Sequence, residues 1–144
     1  MFSKTCEYGI KAVLMIAKRS LENKRVNLKE IAEEIDSPEA FTAKILQLLA
    51  KQKIIDSLKG PTGGFLMNQD QIHGVSLLQI VGAIDGDKIY NGCALGLHDC
   101  DADKPCPMHE QFVSIRDNLK NMLSNTTVYE LAMELKEGQT YLVR

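Results

Sequence analysis

Cys93, Cys100 and Cys106 fall within 14 residues, in a stretch rich in Gly, Asp and Pro that also holds His98, with His109 just beyond the last thiol. Thiolate sulfur is a soft donor that suits zinc and iron-sulfur clusters alike. Disulfide bonding fits less well, because three thiols cannot pair among themselves and a reducing cytosol keeps them open. Three unrelated free thiols are the plainest alternative, yet free cysteines are usually isolated and buried, whereas these lie in a polar loop. Zinc sites generally place paired ligands two to four residues apart. Here six and five residues intervene, a spacing suited to wrapping a larger inorganic group, although it decides neither metal.

The rest of the chain offers no nucleophile-base pair, no paired carboxylates and no phosphate-binding loop, so the sequence does not read as an enzyme. Its 144 residues, 44% hydrophobic and 25% charged, suit one ordinary globular core or a small domain with an oligomerisation element. No apolar run reaches the roughly 18 residues needed to span a bilayer. Residues 1–20 mix Lys and Glu among apolar positions and do not resemble a secretion signal, so the expected location is the cytoplasm. Net charge is −2, but it is uneven: residues 1–60 hold 11 Lys and Arg against 8 Asp and Glu, whereas residues 61–144 hold 6 against 11. The basic half is the one suited to meeting phosphate.

Helical periodicity dominates the elements that must position these groups. Residues 4–22 carry Tyr8, Ala12, Val13, Met15, Ile16 and Ala17 at helical spacing. Asn27, with Glu30 as capping-box partner, opens a short helix whose stripe is Leu28, Ile31, Ala32 and Ile35. Ser37 is the expected cap, and Pro38 the first-turn residue, of a third helix reaching Gln52. That helix is expected to bury Phe41, Ile45, Leu48 and Leu49 and to leave Thr42, Ala43, Lys44 and Gln47 nearer its open face.

Two helices joined by a tight turn make a helix-turn-helix, whose second helix can enter a major groove. Such pairs also occur in proteins that never touch DNA, so the segment C-terminal to the pair carries much of the weight. Residues 54–58 and 65–67 read as strands around Lys59-Gly60-Pro61-Thr62-Gly63-Gly64, a hairpin whose tip can approach phosphates or a minor groove. Glu39, Thr42, Lys44 and Gln47 are the candidates for base edges, and Lys59, Thr62 and Gly63 for backbone or minor-groove contact.

With those residues in place, the chain resembles the winged-helix regulators of the IscR and NsrR type, in the Rrf superfamily of bacterial repressors. The likeness covers nearly all the chain and rests on Cys6-Glu7-Tyr8-Gly9-Ile10-Lys11-Ala12, on Leu28-Lys29-Glu30-Ile31-Ala32, and above all on Leu58-Lys59-Gly60-Pro61-Thr62-Gly63-Gly64-Phe65. The last segment resembles the family wing, with Lys59 where arginine is usual; lysine keeps the charge but lacks the flat fork suited to a narrow groove. The resemblance implies an iron-sulfur cluster, two-iron or four-iron, on Cys93, Cys100 and Cys106, with one residue more in the first spacing than in the relatives. It also implies two candidates for a fourth ligand. His109 completes a Cys-x-x-His ending like that of IscR-type proteins, and Glu7 falls where NsrR-type relatives place a carboxylate from the partner subunit. Each has a plainer reading, His109 as a helix cap or surface residue and Glu7 as a solvated carboxylate; His98 reads as a loop residue and Cys6 as a first-helix thiol.

Ser76 caps a helix through Ile84 that ends near Asp85-Gly86, before the cysteine loop. Beyond the loop, Met108, Phe112, Ile115, Leu119, Met122 and Thr126 step by four and three residues, a seam that suits a helix pair in a two-fold dimer or a single-chain core. The resemblance favours the homodimer, which would set two reading heads on palindromic double-stranded DNA. Thr127 and Glu130 then open a last helix that stops at Gly138.

The expected architecture is mainly α with a small β-hairpin: a winged helix-turn-helix domain over residues 1–75, then a cluster-binding loop and dimerisation helices over 76–144. The expected function is a DNA-binding transcriptional regulator, a repressor, sensing iron-sulfur status, redox state or nitric oxide. A metal-free or zinc-bound winged-helix repressor responding to a small molecule is the nearest rival. A small iron-sulfur redox carrier is further off, since it has no use for a glycine-rich wing.

Overall fold

The computed structural model describes residues 1–144. Helix α1, Lys4–Leu21, starts at Ser3, whose hydroxyl accepts the Cys6 N–H at 3.0 Å. Its buried stripe of Ala12, Val13, Met15, Ile16 and Ala17 makes it the central post of the fold. Helices α2, Leu28–Glu34, and α3, Glu39–Lys51, form the helix-turn-helix. Asn27 caps α2 by accepting the Glu30 N–H at 2.9 Å while the Glu30 carboxylate reaches back to the Asn27 N–H. Asp36 takes a positive φ of 51° between the two helices, a conformation that Asp tolerates better than most residues.

Strands β1, Asp56–Leu58, and β2, Gly64–Leu66, pair antiparallel with Leu58 opposite Gly64. Strand β1 is shorter than expected and β2 keeps its expected length one residue earlier, because Ile54, Ile55 and Met67 turn into the core and leave the ladder. The wing is tied down at its root. Val26 and Phe65 exchange backbone hydrogen bonds of 3.1 and 2.7 Å, and the Met67 N–H donates to the buried hydroxyl of Ser20 at 2.9 Å.

Helix α4, Gln69–Gly74, follows, then α5, Leu77–Asp85, α6, Lys88–Asn91, α7, His109–Asn125, and α8, Val128–Lys136. Neither α4 nor α6 was expected. Helix α5 ends at Gly86, φ 76°, and Gly138, φ 73°, follows α8, as read from the sequence. Helices α3, α5 and α8 all pack on α1, and the Val75 carbonyl accepts the Val128 N–H at 2.9 Å. The core is therefore one cluster running from Cys6 through Leu123, Val128 and Ala132. The boundary drawn at residue 75 marks no break in this packing.

Candidate nucleic-acid interface and cysteine centre

Helix α3 presents Glu39, Lys44 and Gln47 to solvent, as a groove-reading helix requires. Thr42 is a correction: it is 0% exposed and cannot meet a base edge. Its hydroxyl donates to the Pro38 carbonyl at 2.8 Å and shares a hydrogen bond with the Ser37 hydroxyl. Ser37 is thus engaged with Thr42, no side chain caps α3, and Pro38 takes the N-cap position. The buried stripe is Thr42, Ile45, Leu46 and Leu49, so the helix is rolled by about one residue from the expected face. Phe41, expected inside, lies 37% exposed with its ring edge-on to Tyr8 at 5.9 Å. It adds an apolar surface to the reading face.

At the wing tip Lys59 and Thr62 are exposed and Gly63 is half-buried. Gly63 donates its N–H to the Gly60 carbonyl at 2.9 Å, so that N–H is spent inside the turn. What Gly63 contributes is closeness: a Cβ there would stand 2.2 Å from the Leu58 carbonyl oxygen. Gly60, φ 98°, and Gly64, φ 138°, supply the positive φ angles that reverse the chain.

The cysteine loop joins α6 to α7, and its three thiols are half-buried. The Cys93 thiol is held below the ordinary thiol value, first by the backbone N–H of Leu95, then by that of Leu97, with the Cys106 thiol also hydrogen-bonded to it. Backbone donors of this kind favour sulfur as thiolate, the form that ligates metal. Cys100 Sγ lies 3.5 Å from His109 Nδ1, and the His109 N–H donates to the Cys106 carbonyl at 3.0 Å where α7 begins. The loop thus gathers its donors as two pairs, Cys93 with Cys106 and Cys100 with His109. No three His, Cys, Asp or Glu side chains converge closely enough to hold one metal ion.

The other candidates stand apart in this chain. Glu7 pairs with Lys4 at 3.2 Å on its own helix. His98 is almost wholly exposed and pairs with Asp99 at 2.8 Å. Cys6 is 0% exposed, and burial, aided by Asp85, pushes its thiol up to about 12. Arg116 was missed, having no motif to announce it: from α7 its Nη1 donates to the Gly92 carbonyl at 3.1 Å, directly beside Cys93. Along α7, Leu123 is fully buried, while Met108, Ile115 and Met122 of the expected seam are 45%, 62% and 45% exposed. One face of α7 therefore serves the chain's own core and another is left open.

A solvent-presented second helix beside a glycine-tipped wing defines the winged-helix class of DNA-binding transcriptional regulators. The comparisons place the chain within that class. The profile of the Rrf2 family, described as an iron-dependent transcriptional regulator, matches residues 2–134. The chain belongs to this family, and it is a regulator and not an enzyme. It is 30% identical over 135 residues to a putative HTH-type transcriptional regulator of Aquifex aeolicus, covering 91% of this chain and 90% of the relative. It is 26% identical over 127 residues to the regulator IscR of Vibrio cholerae, covering 88% and 72%. Its fold is similar to that of CymR, the global cysteine regulator of B. subtilis, with a TM-score of 0.76 at 22% identity over 92% of this chain and 96% of that one. It is also similar to T. potens IscR, with a TM-score of 0.73 at 16% identity over 97% and 91%. No helix is long and apolar enough to cross a membrane.

Proposed function

We propose that this chain acts in the cytoplasm as a homodimeric repressor on palindromic double-stranded DNA, and that an iron-sulfur cluster on Cys93, Cys100, Cys106 and His109 sets its affinity. The observation that carries this reading is the pairing of Cys100 Sγ with His109 Nδ1 at 3.5 Å in the loop that feeds the half-open helix α7. The donor set fits the group. Three cysteines and His109 on one loop, with Cys100 Sγ 3.5 Å from His109 Nδ1, are donors of the kind that hold such clusters, and the N–H groups around Cys93 are of the kind that tune cluster thiolates. The description of the family as iron-dependent supports the same assignment. When bound, the cluster would supply a redox centre open to oxygen and nitric oxide.

The chain's own residues supply the coupling. His109 is the first residue of α7, so a ligand there acts directly on the helix whose exposed Ile115 and Met122, with Met108 at its N-cap, are suited to a second copy. A shift of α7 resets the distance between two α3 helices, and spacing decides whether both reach successive major grooves. Glu39, Lys44 and Gln47 then address base edges, while Lys59 and Thr62 address the backbone or minor groove.

The test is protein purified and reconstituted without oxygen, assayed for iron, sulfide and visible absorption, then compared with cluster-free protein in gel shifts on one operator over a range of salt. Colourless, iron-free protein removes the cluster. Equal affinities at every salt concentration remove the switch. His109→Ala should alter the absorption spectrum and Glu7→Ala should not; the opposite result transfers the fourth-ligand role to the partner's carboxylate.

A further inference from the structure

The Nε of Arg116 is the one buried side-chain nitrogen or oxygen in the chain without a hydrogen-bond partner. The Arg116 side chain is only 13% exposed, and the carboxylate near it, Asp117, is 3.8 Å away and more than half exposed. A cation so placed is costly unless something compensates it. Its one close partner is the Gly92 carbonyl, at 3.1 Å, which belongs to the peptide group whose nitrogen is that of Cys93.

The surroundings of that peptide are built to hold still. Gly92 closes α6 by donating to the Lys88 carbonyl at 2.8 Å, and a Cβ on it would meet that oxygen at 2.5 Å. Tyr90 is buried, with 8% of its surface exposed. One turn along α7 from Arg116, Lys120 donates to Asn91 Oδ1 at 3.0 Å and stands 6.0 Å from the Tyr90 ring centre. Two basic side chains of α7 thus grip the chain just where it departs into the cysteine loop.

We propose that Arg116 is a positioning residue that joins the cysteine loop to α7 by fixing the Gly92–Cys93 peptide through its bond to the Gly92 carbonyl. It acts through Cys93 and is not itself a ligand. A mobile Cys93 loosens the grip on any bound group, and a movement of the loop's first residues is passed to α7 through the same hydrogen bond. Lysine keeps the charge but not the fork, so Arg116→Lys retains part of the effect and Arg116→Met none of it.

The first readout needs no cluster. In cluster-free, full-length protein, amide hydrogen exchange over residues 92–106 is expected to be roughly tenfold faster in Arg116→Met, the worth of one charge-assisted hydrogen bond. Arg116→Lys should lie between, and α1 to α3 should be unchanged. Should the methionine variant fail to fold by circular dichroism, the lysine variant carries the comparison. The second readout rests on the proposed function: release of iron from reconstituted protein to a chelator is expected to be roughly tenfold faster in the variant. Wild-type exchange over 92–106, or acceleration spread evenly through the chain, overturns the proposal. Wild-type protein that takes up no iron or sulfide overturns the cluster reading instead, and the exchange comparison then decides on Arg116 alone.

Discussion

Replacing Gly64 by alanine should unfasten the wing. The residue sits at φ 138°, where an L side chain costs about 1–3 kcal/mol. Its new Cβ would lie 2.7 Å from the Val26 carbonyl oxygen, a backbone atom that cannot rotate aside. Relief requires β2 to draw away from Val26, weakening the two bonds between Val26 and Phe65, each worth roughly 0.5–1.5 kcal/mol. The expected loss is about 2–5 kcal/mol, a large part of the roughly 5–15 kcal/mol that holds a domain together. With no Trp in the chain, urea unfolding is best followed by far-UV circular dichroism. Gly74→Ala is the matched control, since that glycine ends α4 with nothing within 4 Å of a Cβ and no positive φ. It should stay within about 1 kcal/mol of wild type. Equal urea midpoints for the two variants would refute the steric argument, and unchanged DNA affinity in a Gly64→Ala protein that has lost stability would show that the wing does not contact DNA.

On α3, Thr42→Val should cost about 1 kcal/mol by removing the hydroxyl that Ser37 and Pro38 share, without altering base preference. Lys44→Ala should cost about 1–3 kcal/mol of DNA affinity and relax base preference at one position, and a Thr42 variant with switched base preference would return that residue to the reading face. On α7, Leu123→Ala, at a fully buried position, should cost about 2–5 kcal/mol in urea unfolding. Ile115→Ala should keep the circular dichroism spectrum and shift sedimentation towards monomer; unaltered association would place the dimer seam elsewhere. Among the thiols, alkylation at pH about 8 should reach Cys93 first and Cys6 last, because thiolate is the reactive form. The Cys6 thiol is raised in the folded state from 9.0 to about 12, so its contribution to stability is complete below pH 9 and lost as pH rises towards 12. Cys6→Ala should flatten the loss of stability over that alkaline window, and an identical pH profile would refute the assignment.

Local chemistry was readable in the chain itself. The Asn27/Glu30 and Thr127/Glu130 capping boxes span three residues, and Gly86 and Gly138 close their helices, so each boundary is written in adjacent side chains. Helix α4 carries the same sign, a capping box of Asn68 with Gln71. The wing announced itself through its glycines. The three cysteines stood out by type and spacing as the donors on which the proposed cluster rests.

The roll of α3 was different in kind. The stripes through Phe41 and through Thr42 are both periodic, and packing of α3 against α1 and α5, with a hydroxyl satisfied by Ser37, selects between them. Arg116 reaches a carbonyl 24 positions earlier, and no spacing rule spans that distance. Pairing of Cys93 with Cys106 and of Cys100 with His109 is likewise set by how the loop folds back on α7. The sequence by itself determined which residues could cap, turn or ligate, since those properties belong to single side chains and their near neighbours. The tertiary structure alone decided which of them face solvent and which meet, because burial and contact depend on every other element packed against the helix that carries them.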